Sequence, residues 1–193
     1  MSGYRWIIAG LWLLFVAYWA VSAVGVKRSA GKRSWGREIG LRLVLILVIA
    51  ALLQSRSLRQ FLAQTHRHFN HSDILGWIGV ALCVVGFGLA INARRHLGRN
   101  WGLPMSRKEQ PELVTSGPYA LIRHPIYTGL SLAMLGSAIG VDILWLLLLV
   151  PVGAYFFYSA RREEAVMLQL FPEQYPAYRA RTGMLAPRLL RRR

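Results

Sequence analysis

Two clusters of polar and aromatic residues stand on either side of one long apolar stretch of this chain. Residues 117–129 read GPYALIRHPIYTG and come just before the stretch. Residues 161–164 read RREE and follow it, with Phe171, Tyr175 and Tyr178 close behind. Guanidinium, imidazole, phenol and carboxylate groups in one place can bind ions and position a substrate. A helix that only anchors a protein needs none of them there, so the pattern indicates a site at a membrane surface and favours an enzyme.

Prolines shape the first cluster. Pro118 and Pro125 both hinder a continuous helix, and Gly117 permits a turn before them. Arg123 offers a planar fork that suits a carboxylate or a phosphate, and the carboxylates of residues 163–164 can accept hydrogen bonds from an ammonium or a hydroxyl group. A pocket with these groups and aromatic walls suits a zwitterionic ligand that carries a sulfonium. Composition alone supports interfacial anchoring by the same residues equally well.

The apolar residues are gathered in long blocks, and 54% of the chain is hydrophobic against 17% charged. Residues 7–26 and 74–93 are each long enough to span a hydrocarbon core of roughly 30 Å. Residues 41–53 are a further candidate once their flanks join the helix. Residues 126–158 are too long for one span, and the Gly-Val-Asp at 140–142 predicts a hairpin of two helices. Such unbroken blocks argue against a soluble helical bundle.

We therefore predict an all-α integral membrane protein with about five transmembrane helices. Residues 1–73 would form the first two helices and an outer loop. Residues 74–193 would form the core that carries both polar clusters: the third helix, the hairpin of helices four and five, and a cytosolic C-terminal segment with a cofactor pocket.

The formal net charge of +16 is unevenly placed. Most of the 24 lysines and arginines follow the first, third and last apolar blocks. The positive-inside bias then predicts a multi-pass protein with its N-terminus outside and its C-terminus in the cytoplasm. We expect the remaining basic excess to contact anionic membrane lipids, and we predict no nucleic-acid partner because no nucleic-acid-binding motif accompanies it.

The cysteine content predicts no disulfide framework, and the histidines predict no metal site. Cys83 is the single cysteine, so an internal disulfide is excluded. His66, His68 and His71 lie close together in the outer loop but lack the spacing typical of a metal site. No metal cofactor is predicted.

Several motifs follow one another through the C-terminal half of the chain: LVTSGPY at 113–119, RHPIYTG at 123–129, EE at 163–164, FPEQY at 171–175, Tyr178, and TG at 182–183. Their order resembles the isoprenylcysteine carboxyl methyltransferase family, whose wider relatives are the small integral-membrane phospholipid methyltransferases. The resemblance covers roughly residues 74–188, and residues 97–101 look like the segment that follows the preceding span in that family. One departure is Pro172, where the family commonly has glycine.

The resemblance implies an S-adenosyl-L-methionine-dependent methyltransferase with its cofactor at the cytosolic membrane face. Glu163 or Glu164 would contact the cofactor's amino group or ribose, and Arg123 would stand nearest the methyl-transfer centre as the catalytic residue. The other residues that the resemblance assigns to the cofactor pocket are Tyr119, His124, Pro125, Tyr127 and Gly129.

The acceptor predicted from this resemblance is a carboxylate of a lipid-linked or amphiphilic molecule, as in an isoprenylcysteine. A carboxylate is already ionised at neutral pH and needs no base, whereas an amine, as in a phospholipid N-methyltransferase, would need one, and His124 is the nearest candidate. Two alternatives belong to other functional classes: a membrane reductase and a non-enzymatic membrane scaffold. A bacterial inner membrane is the expected location.

Overall fold

A computed structural model describes residues 3–22, 55–56, 60, 72–98 and 112–188. Within these ranges the chain is helical and forms no β-strand. The second predicted span, residues 41–53, and the three histidines of the outer loop lie outside the described residues. The helices are α1 (Gly3–Ser22), α2 (Asp73–Leu97), α3 (Pro125–Gly140), α4 (Leu144–Leu170) and α5 (Gln174–Arg181), with a 3-10 turn at Gly117–Ala120.

Three of these helices, α1, α2 and α4, are long and apolar enough to cross a membrane. Their surfaces fit that assignment, because large apolar side chains point outward on each: Leu13 is 72% exposed and Val150 73%. A soluble protein would not leave such a surface uncovered. The helix α3 is shorter, with 16 residues, so the count of five spans stays a prediction.

The predicted hairpin is present, and its turn lies at the expected place. Helix α3 ends at Gly140 and α4 begins at Leu144. Asp142 Oδ1 accepts a hydrogen bond from the Leu144 backbone N–H at 2.9 Å. This Asx-type bond satisfies a donor at the start of α4 that has no partner within the helix.

Small residues let α2 and α3 approach closely. A Cβ on Gly86 would lie 2.5 Å from the carbonyl oxygen of Gly129, and one on Gly79 would lie 2.6 Å from that of Gly136. Side chains at these positions would force the two backbones apart. Close backbone approach through small residues is the usual way in which helices associate in a membrane, where the hydrophobic effect does not drive them together.

Helix α1 packs against this pair and runs parallel to α2. Near the starts of both helices the Tyr4 ring lies against Gly76, and at their ends an Arg94 guanidinium nitrogen donates to the Ser22 carbonyl. In the apolar interior Trp12 Nε1 donates to Ser137 Oγ at 2.9 Å. The predicted topology requires this parallel arrangement of its first and third spans.

Candidate active site

The site lies at one end of the bundle, where α1, α2 and α4 end and α3 begins. We call this end the site face, and Ser22, Arg94, His124 and Glu164 mark it. The 3-10 turn enters it through Gly117, whose φ of 58° lies in the left-handed region. A Cβ on Gly117 would also meet the His96 ring at 2.6 Å or less. Only glycine therefore meets both the conformational and the packing requirement at this turn.

A short clip joins the C-terminal segment to the segment before α3. The Arg123 N–H donates to Gly183 O at 2.9 Å, the His124 N–H donates to Met184 O at 3.0 Å, and the Gly183 N–H donates to Leu121 O at 3.1 Å. Thr128 Oγ1 adds a bond to Leu185 O at 2.7 Å. The C-terminal segment thereby fixes the backbone that carries Arg123 and His124.

Helix α5 is held to the same segment by Tyr178. Its buried hydroxyl donates to the Tyr119 carbonyl at 2.8 Å, and its own carbonyl accepts from Thr182 Oγ1 at 2.7 Å. Burial raises the pKa of Tyr178 to about 12, so the phenol stays protonated and remains a donor at neutral pH. Tyr119, a predicted pocket residue, takes part through its backbone and is itself buried.

Glu164 is the ionic centre of the site. Arg123 Nε donates to its Oε1 at 2.7 Å, and Arg179 Nε lies 3.4 Å from its Oε2. The Glu164 side chain is only 4% exposed. Arg123 also uses Nη1, which donates to the carbonyl oxygens of Arg179 and Thr182. A buried carboxylate needs such partners because desolvation of an unpaired charge is costly.

His124 lies between the two glutamates. Its Nδ1 is 3.5 Å from Glu163 Oε2 and its Nε2 is 3.5 Å from Glu164 Oε1. Burial by itself lowers the pKa of His124, but the close contacts and negative charges of Glu163 and Glu164 outweigh burial and raise the pKa above its usual value. The imidazole is therefore favoured in its protonated form.

Three aromatic rings form a column beside these charges. The rings of His124 and Tyr127 are stacked with centroids 5.7 Å apart, and Tyr127 stacks on Phe156 at 4.7 Å. The Tyr127 hydroxyl donates to Glu163 Oε1 at 2.5 Å. The column links α3 to α4 and presents aromatic edges and faces next to two carboxylates.

The structure brings five of the sequence-predicted residues into one cluster: Arg123, His124, Tyr127, Glu163 and Glu164. Two others contribute to packing. Pro125 is fully buried as the first residue of α3, where its fixed φ suits a helix start. Gly129 lies at the crossing of α2 and α3 against Gly86. Their assignment to a cofactor pocket stays a prediction.

Sequence reasoning missed two members of the cluster, Phe156 and Arg179. Phe156 precedes Glu163 by two helical turns, and Arg179 follows Tyr175 by one turn, so each shares a helix face with a predicted residue. Helical spacing could have identified Arg179, whereas the apolar neighbours of Phe156 conceal it.

A protein-family model described as phospholipid methyltransferase matches residues 74–174. The cobalt-zinc-cadmium resistance protein CzcN of Cupriavidus metallidurans is 30% identical over 86% of this chain and 70% of its own length. The nickel-cobalt-cadmium resistance protein NccN of Alcaligenes xylosoxydans xylosoxydans is 33% identical over 58% of this chain and 53% of its own. The protein-S-isoprenylcysteine O-methyltransferase of Tribolium castaneum is 31% identical over 57% of this chain and 41% of its own.

The matched family region contains the 3-10 turn, Arg123, His124, the helical hairpin and both glutamates, which are the parts that build the cluster. The resemblance expected from the motifs is thereby confirmed, together with its coarser implication of a methyltransferase in a membrane. The chain belongs to the phospholipid methyltransferase family, the wider family that also relates it to the isoprenylcysteine methyltransferases.

Proposed function

We propose that this protein transfers a methyl group from S-adenosyl-L-methionine to a carboxylate of a lipid-linked or amphiphilic acceptor at the cytosolic face of the membrane. The observation that carries the proposal is the joint burial of Arg123, His124 and Glu164 beside the Tyr127 ring at the site face. Buried charges clustered with aromatic rings at the end of a helical hairpin suit a charged ligand.

The residues fit the chemistry of this cofactor. Glu163 is partly exposed, with 25% of its side chain accessible, and its carboxylate can accept from an ammonium or from ribose hydroxyls. Aromatic rings favour a neighbouring sulfonium. His124 Nε2 is buried and lies 3.5 Å from Glu164 Oε1 without a hydrogen bond of normal geometry among the described residues, so a ligand oxygen could accept from it. When bound, the cofactor supplies an electrophilic methyl group.

The charge balance of the cluster favours an anionic acceptor. The charges of Arg123 and Arg179 balance those of Glu163 and Glu164, and His124 adds a positive charge in its protonated form, which the two glutamates favour. The excess positive charge attracts a carboxylate, which is ionised at neutral pH and requires no base.

We propose that Arg123 orients this acceptor through Nη2. Its Nε and Nη1 bond to Glu164 and to backbone carbonyls, whereas Nη2 has no hydrogen bond among the described residues. Two nitrogens would then fix the guanidinium while the third contacts the substrate. Alignment of this kind is the main requirement of an in-line methyl transfer.

An amine acceptor is the second candidate, and the description of the matched family favours it. An amine must lose a proton, and His124 is the nearest candidate base. The raised pKa of His124 disfavours the neutral imidazole that a base requires. For this reason we prefer the carboxylate. A membrane reductase finds no support in the relatives named above.

We further propose that the site face lies in the cytoplasm. Basic residues lie on the same side as the site: Arg94 and Arg95 in the last turn of α2, and Arg161 and Arg162 in the C-terminal half of α4. Basic residues concentrate on the cytoplasmic side of membrane proteins. The N-terminus would then be outside, and a bacterial inner membrane is the proposed location.

Methyl-tritiated S-adenosylmethionine tests the proposal when it is incubated with native membranes that contain the protein. We expect label in a lipid-soluble product and its release as volatile methanol in alkali, since a methyl ester hydrolyses and an N-methyl group does not. Membranes with the Glu163→Ala, Glu164→Ala double variant are the matched control and should remain unlabelled. Alkali-stable label would identify the amine reaction, and equal labelling of both membranes would refute the site.

A further inference from the structure

Ser159 is a buried polar residue that takes no part in the contacts of the charged cluster described above. Its side chain is in the middle of α4 and is 0% exposed. Its hydroxyl oxygen has no hydrogen-bond partner among the described residues. Buried hydroxyl groups in proteins are nearly always paired, so an unpaired one requires an explanation.

The position of Ser159 follows from helical spacing. Phe156, Ser159 and Glu163 follow one another at intervals of three and four residues and therefore share one face of α4. Phe156 and Glu163 both contact Tyr127 of α3, one through its ring and the other through its hydroxyl. Ser159 lies between these two contacts, so it faces α3 beside the aromatic column.

Ser159 is also one helical turn further from the site face than Glu163. A water-soluble cofactor reaches the cluster from the aqueous end of the bundle. A lipid-linked acceptor, whose tail lies among the lipid chains, reaches it from the apolar interior. The residue on the interior side of Glu163 is therefore placed for the acceptor.

We propose that the Ser159 hydroxyl donates a hydrogen bond to the carboxylate of the lipid-linked acceptor and thereby sets acceptor affinity. This inference rests on the proposed function and names a further substrate-binding residue for it. A neutral hydroxyl donor suits this depth because it adds no charge to an apolar region.

The test compares Ser159→Ala with the wild type in purified, detergent-solubilised protein. The probe acceptor is N-acetyl-S-farnesylcysteine, a lipid-linked carboxylate. Loss of a hydrogen bond to a charged group should raise the KM for this probe by roughly tenfold or more, with little change in kcat or in S-adenosylhomocysteine affinity. The melting temperature without ligand should not fall, because the variant removes a hydroxyl that has no protein partner. Ser159→Cys, which keeps a small side chain but has a weak donor, should also raise the KM.

Ser137→Ala is a matched control. Ser137 is also 0% exposed, but its hydroxyl accepts from Trp12 and donates to the Ala133 carbonyl at 2.9 Å. We expect this variant to lower the melting temperature and to leave the probe KM unchanged.

Each outcome decides the inference. An unchanged KM in Ser159→Ala overturns the role of Ser159 alone, as does a lowered melting temperature with a matching loss of S-adenosylhomocysteine affinity. A wild type that binds S-adenosylhomocysteine but does not methylate the probe refutes the acceptor class, and this role with it. A wild type that binds no S-adenosylhomocysteine refutes the proposed function itself.

Discussion

Arg123 Nε donates a hydrogen bond to Glu164 Oε1 at 2.7 Å and so joins the segment before α3 to the C-terminal part of α4. Nη1 of the same guanidinium reaches the carbonyl oxygens of Arg179 and Thr182 at the end of α5. One side chain thus fixes three parts of the site relative to one another. A planar guanidinium presents several donors in fixed directions, which the single ammonium of lysine cannot do.

The first prediction concerns Arg123→Lys. We expect methyl transfer to fall roughly 10²-fold, because a lysine keeps the charge but loses the fixed fork that aligns the acceptor. Affinity for S-adenosylhomocysteine should change much less, since Glu164 keeps His124 and Arg179 as neighbours. The two measurements are turnover in native membranes and calorimetric affinity of the purified variant.

Two results would contradict this role of Arg123. Near-normal turnover in Arg123→Lys would reduce Arg123 to a structural ion-pair partner of Glu164, a role in which a lysine keeps the positive charge. A parallel loss of S-adenosylhomocysteine affinity would place Arg123 in the cofactor pocket instead.

The second prediction separates the two glutamates. Glu163→Gln keeps an oxygen that can accept from Tyr127 but removes the charge, so S-adenosylhomocysteine affinity should fall roughly tenfold or more with little change in melting temperature. Glu164→Gln removes a buried charge from between Arg123, His124 and Arg179. It should lower the melting temperature by roughly 5 °C or more. Equal effects of both variants on stability would show that the glutamates do not divide these roles.

The third prediction concerns pH. His124 has a raised pKa in the folded protein, because Glu163 and Glu164 favour its protonated form and outweigh burial. The folded state therefore holds the proton more tightly than the unfolded state does. The resulting stabilisation is fully present below the unfolded pKa of about 6.5, and it is lost as the pH rises through the folded value.

The measurement is the melting temperature of the detergent-solubilised protein as a function of pH from pH 6 upward, below the range in which tyrosines titrate. The melting temperature of the wild type should fall as the pH increases. His124→Gln lacks the titrating group and should show a clearly weaker fall. Identical pH profiles for the two proteins would remove His124 as the titrating group.

The order of motifs is enough to predict five residues of the cluster, although not Phe156 and Arg179. Arg123, His124, Tyr127, Glu163 and Glu164 are chemically distinct from the apolar residues around them, so their positions are visible in the sequence. The sequence does not show which of these side chains contact one another. The sequence predicts that the Arg123 fork contacts the acceptor, whereas in the fold Glu164 and the carbonyls of Arg179 and Thr182 occupy two of its nitrogens.

Residues inside the apolar blocks were harder to interpret. Phe156 and Ser159 lie in a stretch where nearly every residue is apolar or small, so the contrast that reveals a helix face is missing. The family resemblance assigns Gly129, the last residue of the RHPIYTG motif, to the cofactor pocket. Its close contact with Gly86 depends on a helix crossing that no local pattern encodes.

The fourth prediction tests that crossing with two glycine variants. Gly129→Ala would place a Cβ against the Gly86 carbonyl and 2.9 Å from the Ala90 nitrogen, so it should destabilise the protein by about 1–3 kcal/mol. Gly88→Ala is the matched control on α2, because a Cβ there has nothing within 4 Å. That variant should be neutral or slightly stabilising. If Gly129→Ala instead retains full stability and loses only S-adenosylhomocysteine affinity, Gly129 belongs to the cofactor pocket rather than to the helix interface.

The fifth prediction concerns topology. Helices α1 and α2 run parallel, with Tyr4 against Gly76 at one end and Ser22 against Arg94 at the other. Their ends lie at the site face together with the basic residues that predict the cytoplasmic side. Topology reporters fused at Asp73, at the start of α2, and after Arg193 should therefore report opposite sides of the membrane. A third reporter fused after Ser22 should agree with the one after Arg193, since both positions would be cytoplasmic. Agreement between the Asp73 and Arg193 reporters would eliminate the five-span topology, and a Ser22 reporter on the outer side would contradict the parallel arrangement of α1 and α2.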